Sequence, residues 1–162
     1  MKSGVIELVR NVISSALLIL ILSGKITSPD QIPGEVDVWE WQCLSGAIMC
    51  ENPYGTTMNC LLTGCVPINR RNSSHWNGNT IEEVILAKDG GYLQYAVSTR
   101  DNFRSIECSD RVRAIAKYLL VYGVICPENV VYQGKNEHAG SGLYWKEPTP
   151  NEKIKYEYFC YE

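Results

Sequence analysis

Glu51 is the carboxylate whose setting invites chemistry. It closes a stretch in which Val36, Trp39, Cys43, Ala47 and Cys50 recur at spacings of three and four, the stripe of a helix that Asn52-Pro53 should end. At the C-terminal end of a helix dipole, and partly buried on an apolar face, a carboxyl is disfavoured in its charged form. A carboxyl that keeps its proton near neutral pH can protonate the oxygen of a glycosidic bond. The same position suits an exposed helix-end glutamate, so position alone leaves the choice open.

Other reactive side chains offer less. The chain has seven cysteines (Cys43, Cys50, Cys60, Cys65, Cys108, Cys126 and Cys160) and no Cys-x-x-Cys pair, which argues against a zinc site. A catalytic thiol would want a histidine, and only His75 and His138 are present, neither in a cysteine-protease setting, so both are expected at the surface. Export would permit disulfides, yet Cys43 and Cys50 lie on an apolar stripe where cysteine serves as a small hydrophobe; three bridges and seven free thiols both stay open. There is no P-loop, dinucleotide fingerprint, His-Glu-x-x-His motif or internal repeat, and no metal or cofactor is expected.

The elements that must position Glu51 can be read from periodicity and caps. A second helix, capped by Thr56 or Thr57, carries Met58, Leu61, Leu62 and Cys65 on one side, and Pro67 should kink or shorten it. Thr80 and Glu83 form a capping-box pair before Val84-Ile85-Leu86, a short helix expected to end near Asp89-Gly90-Gly91, after which a long loop follows. Ser109-Asp110 begins the clearest helix, with Val112, Ile115, Ala116, Leu119 and Leu120 on one face and Gly123 at its end. The period then changes to two: Val130 to Gln133, Leu143 to Lys146 and Tyr156 to Tyr161 read as small antiparallel strands. Helices first and strands last make an α+β domain.

Length and composition bound the rest. At 162 residues, 45% hydrophobic and 20% charged, the chain suits one domain folding in water and excludes wholesale disorder or a polytopic membrane protein. A net charge of −3 without a basic aromatic patch gives a nucleic-acid partner no support. Lys2 and Arg10 precede an apolar run from Val12 to Leu22, after which Ser23, Gly24 and Lys25 are polar. Residues 1–28 therefore read as a signal peptide or an N-terminal membrane anchor, with a buried helix as the rival, and the protein is expected to be exported. Residues 29–43 are a lead-in and the start of the first helix, and residues 44–162 form the domain proper.

Several strings in that domain occur together in one order: Ala47-Ile48-Met49-Cys50-Glu51, Pro53-Tyr54-Gly55, Asn69-Arg70-Arg71, Trp76 through Ile85, Gln94-Tyr95-Ala96, Pro127 through Gln133, Gly140 through Trp145, and Tyr158-Phe159-Cys160-Tyr161. In these, from about Leu44 onward, the chain resembles the SleB-type cell wall hydrolases, the family of the bacterial spore cortex-lytic enzymes. The resemblance implies a lysozyme-like fold acting on peptidoglycan glycan strands. The family commonly carries a separate wall-binding module as well, and nothing of that kind fits here, so a catalytic domain alone, as a monomer, is expected. Glu51 would take the catalytic role, cleaving between N-acetylmuramic acid and N-acetylglucosamine. Tyr54, Gln94, Tyr95, Tyr132, Gln133, Ser141 and Tyr144 would line the substrate cleft. Asn69 would hold a helix end or loop, and Trp76 and Trp145 would be core.

Ordinary glycoside hydrolysis needs a second carboxylate. Asp89, Asp101, Glu82 and Glu83 are nearest in sequence and none is convincing, so the expected activity is that of a lytic transglycosylase, in which one carboxyl is acid and then base. A muramidase-type hydrolase is the alternative. A catalytically degenerate glycan- or protein-binding domain is another, motivated by Pro67, by Gly90-Gly91-Tyr92-Leu93 ahead of Gln94 and by the cysteines. An amidase is disfavoured by the scarcity of histidine.

Overall fold

The computed structural model describes residues 2–89, 91–150 and 155–162. Gly90 lies outside them, and the Asp89 side chain is likewise not described. Helix α1 spans Lys2–Leu22 and leads through a 3₁₀ turn at Pro29–Gln31 into the domain. Helix α2, Val38–Glu51, starts where the Asp37 carboxylate accepts the Glu40 N–H at 2.9 Å and stops at Asn52, ahead of Pro53.

Helix α3, Thr57–Asn72, is capped by Thr56 and runs through Pro67 rather than stopping there. The proline removes one backbone hydrogen bond, but residues 59–70 of this helix are all buried, and that packing outweighs the defect. Helix α4, Ile81–Leu86, has Thr80 as cap, with Thr80 Oγ1 accepting the Glu83 N–H at 3.1 Å and the Glu83 carboxylate accepting the Asn79 N–H at 2.7 Å. It ends earlier than its sequence suggests because Arg100 Nη1 donates to the carbonyls of Ile85, Leu86 and Ala87, satisfying the helix end from outside.

Where a helix end and a long loop are expected, the structure has a strand pair and a helix. Strands β1, Lys88–Asp89, and β2, Tyr92–Leu93, pair antiparallel, and α5, Val97–Asn102, follows. Helix α6, Asp110–Tyr122, begins at Ser109, whose hydroxyl accepts the Val112 N–H, and ends at Gly123, where φ is +100°.

The second sheet contains β3, Val130–Gly134, β4, Gly142–Pro148, and β5, Tyr156–Tyr161, all antiparallel in the order β3-β5-β4, so the last strand lies in the middle. Leu44 and Ile48 of α2, Leu61 and Cys65 of α3, Ile85 of α4, Ile115 and Leu119 of α6, Phe103 and Phe159 meet in one core. The molecule is thus a mixed helix-and-strand, α+β arrangement with helices packed on one small antiparallel sheet. Trp145, expected in the core, is exposed and donates its indole N–H to Glu147 at 2.8 Å, while Trp76 is half-buried.

Val5–Leu22 of α1 is long and apolar enough to cross a membrane. One side touches the domain: Leu17 and Ile21 are buried, Ser14 and Tyr118 share a 3.0 Å hydrogen bond, and Arg10 donates to the Val121 carbonyl at 2.6 Å. Val5, Ile6, Leu8, Val9, Val12 and Ile19 face outward.

Candidate active site

Glu51 sits at the last position of α2, half-buried. The next residue anchors that end: Asn52 donates to Thr63 and accepts from Asn59 Nδ2 at 3.1 Å, a buried amide knot fastening α2 to α3. From the other side Thr99 Oγ1, buried on α5, donates to Glu51 Oε1 at 2.6 Å. The approach of α5 depends on Gly46, since a Cβ there would stand 1.7 Å from the Phe103 carbonyl oxygen.

Among the described residues, two recesses open on Glu51. The larger, about 310 Å³, is bounded by Asn52, Pro53, Tyr54, Lys135, Thr149 and Glu157. The smaller, about 150 Å³, is bounded by Val66, Arg70, Gln94, Tyr95, Ala96 and Gln133. Glu51 lines both, so the two hollows adjoin at this residue. Tyr54 is highly exposed, as a stacking surface at a cleft rim would be. Tyr95 is buried, and burial pushes its phenol up to about 12, against the opposing pull of Arg70.

The sequence-derived residues thus divide. Tyr54, Gln94, Tyr95 and Gln133, from three separate segments, share recesses with Glu51. Tyr132 lies one hollow away, edge-on to Trp76 with ring centroids 5.6 Å apart, in a recess whose wall Gln94 also forms. Ser141 borders a hollow at the β3–β4 connection with Glu137 and His138, away from Glu51. Tyr144 packs on the core, edge-on to Tyr161 at 5.7 Å, and lines neither recess that Glu51 lines. The reason for both displacements is strand order: β5 separates β4 from β3, so the residues beside Gln133 come from β5.

That insertion supplies a carboxylate that local sequence did not disclose. Gln133 pairs with Phe159 in the β3–β5 register, which puts Glu157 on the diagonal of the same face, and Gln133 Nε2 donates to Glu157 Oε1 at 3.1 Å. Burial raises the Glu157 carboxyl above the ordinary range, the Gln133 hydrogen bond opposes this, and the nearby Glu51 charge adds to the rise. Of the four carboxylates considered as partners from sequence, three have other places. Glu82 is held low by hydrogen bonds from Trp39 and Arg104, Glu83 caps α4, and Asp101 is exposed on α5. The Asp89 side chain lies outside the described residues.

Local sequence does not disclose the places of Arg70 and Thr99 either. Arg70 is buried beneath the smaller recess, donating to the Val131 carbonyl at 2.8 Å, with its guanidinium carbon 4.3 Å from the Trp76 ring centroid and 5.3 Å from that of Tyr95. Its place in the last turn of α3 was visible, but basic residues there usually answer the helix dipole in solvent. Thr99 carries no signal, since Val97–Asn102 has no apolar period. Asn69 is structural as expected, with Nδ2 bridging the Pro127 and Val130 carbonyls, each at 2.9 Å, and His75 and His138 are exposed.

The arrangement can do acid–base work at one carboxyl, with a second carboxyl and with amide and phenol groups lining the same hollows. No protein-family model matches the chain, and neither a curated protein nor a solved structure matches it.

Proposed function

We propose that the protein is an exported lytic transglycosylase that cleaves peptidoglycan glycan strands between N-acetylmuramic acid and N-acetylglucosamine, on a lysozyme-like scaffold. The observation that carries this reading is the meeting of Glu51 with Tyr54, Gln94, Tyr95 and Gln133 around two adjoining hollows. Glu51 protonates the glycosidic oxygen as the bond to C1 breaks. The resulting carboxylate then accepts the proton of the muramyl C6 hydroxyl, whose oxygen attacks C1 and closes an anhydro ring. One carboxyl returns to its starting state, and no water is consumed. The amides orient acetamido and hydroxyl groups, and Tyr54 offers a face to a sugar ring. In this reading α1, apolar over Val5–Leu22, directs export or holds the domain at the outer membrane face.

The presence of Glu157 in the same cleft favours a second reading, a muramidase-type hydrolase in which Glu51 is the acid and Glu157 the nucleophile or the base for water. Mass analysis of muropeptides separates the two. The transglycosylase gives anhydromuramyl products one water lighter and no new reducing ends; the hydrolase gives reducing ends. Equal results from the unaltered protein and Glu51→Gln, with neither form clearing the wall, would leave a binding domain.

A further inference from the structure

Two buried thiols with no part in glycan cleavage meet between α3 and the connection from α6 to β3. Cys65 is 0% exposed and Cys126 7%. The Ile125 N–H donates to Cys65 Sγ at 3.4 Å, and Asn69 Nδ2, one turn further along α3, lies 3.6 Å from Cys126 Sγ. Asn69 also holds the Pro127 and Val130 carbonyls, so the backbone on both sides of Cys126 is fixed against the turn of α3 that carries Cys65. The Ile125 amide that meets the Cys65 sulfur is next in the chain to Cys126, so the two thiols share one buried contact. The neighbouring Cys65 thiol and the Asn69 amide hold Cys126 below the usual thiol range, while burial drives Cys65 well above it.

The other five cysteines are not arranged in this way. Burial pushes Cys43 up to about 12, and it raises Cys60 as well. Cys50 and Cys108 are near enough to feel each other electrostatically, but the Cys108 thiol is turned to the Ile106 carbonyl at 3.5 Å. Cys160 points at the Asn136 and Glu137 carbonyls.

We propose that Cys65 and Cys126 are a disulfide site, joined under oxidising conditions by exchange with a small-molecule disulfide such as oxidised glutathione. One of the two thiols, as thiolate, attacks one glutathione sulfur, forming a mixed disulfide and expelling one glutathione thiolate. The other then gives up its proton and attacks the sulfur of the first, forming the Cys65–Cys126 bond and releasing the second glutathione. The protein loses two thiol protons and two electrons, and oxidised glutathione gains both as two thiols. Because both sulfurs are buried, the exchange takes place before the Cys126 connection closes on α3. The bond ties α3, which bears Arg70, to the strand bearing Gln133, and closes a loop of about 60 residues, enough to raise Tm by roughly 10 °C.

The test uses the full chain refolded with oxidised glutathione, alkylated while denatured and digested without reduction, followed by mass mapping. The expected result is one linked peptide pair containing Cys65 and Cys126, the other five cysteines alkylated, and a Tm that falls by roughly 10 °C in dithiothreitol. The Cys65→Ala/Cys126→Ala double variant should have a Tm indifferent to dithiothreitol; should that variant not fold, the map of the unaltered chain decides. Seven alkylated cysteines, a link between any other pair, or an unaltered-chain Tm that ignores dithiothreitol would overturn the proposal.

Discussion

Thr99 governs how the Glu51 carboxyl is presented, because its 2.6 Å hydrogen bond fixes one of the two oxygens. Valine matches threonine in shape, so Thr99→Val removes the donor with little change in packing. A hydrogen bond to a charged group contributes about 1.5–3 kcal/mol, so kcat should fall roughly tenfold to a hundredfold with KM little changed. Steady-state kinetics on soluble glycan fragments check this, and an unchanged kcat would contradict it. Glu157 makes a separate prediction about pH. Folding raises the proton affinity of this carboxyl above that of an unfolded glutamate, which titrates near about 4.3. The stability that this proton contributes is complete below about pH 4 and is lost as pH rises through the folded value. Glu157→Gln is neutral throughout and escapes that loss. Its Tm relative to the unaltered protein should therefore rise between about pH 4 and pH 7, and a flat or falling difference in calorimetry would contradict the burial argument.

Among the elements, the contact of α2 with α5 does most to build the site, and it rests on Gly46. In Gly46→Ala the methyl group would meet the Phe103 carbonyl, a backbone atom without rotameric freedom, so α5 must move away and take Thr99 with it. Overpacking of this kind costs about 1–3 kcal/mol. Denaturant unfolding should show that loss, accompanied by a fall in activity like that of Thr99→Val; a variant of full stability would show that α5 yields freely. The elements legible in the sequence are those with side-chain caps and an apolar period. Thr56, Thr80 and Ser109 begin α3, α4 and α6 as read, and the stripe ending in Glu51 is α2. Helix α5 was not legible, since Ala96 offers no side-chain cap and Val-Ser-Thr-Arg-Asp-Asn has no periodic apolar face; tertiary contacts of Thr99 and Phe103 hold it. The end of α4 was missed for a similar reason, because its terminating partner is Arg100, which is remote in the chain.

For the assembled fold, the three strands of the larger sheet were readable one by one, whereas their order was not. Alternation specifies a strand and the face it buries, but hairpins between neighbours in sequence are only the commonest solution. Here β5 enters between β3 and β4, which brings Glu157 to Gln133 and carries Ser141 and Tyr144 away from Glu51. Tyr54 follows Glu51 closely in the chain, whereas Gln94, Tyr95 and Gln133 reach it only through the packing of the helices on that sheet, a long-range outcome that local periodicity does not disclose. The claim that these residues form a glycan-cleaving site is tested most directly by digesting purified peptidoglycan with the unaltered protein and with Glu51→Gln, and weighing the released muropeptides. The account predicts anhydromuramyl products from the unaltered protein and a loss on the order of 10²–10⁴-fold from the variant at unchanged Tm. Release that is equal in the two forms, or absent from both, would contradict it.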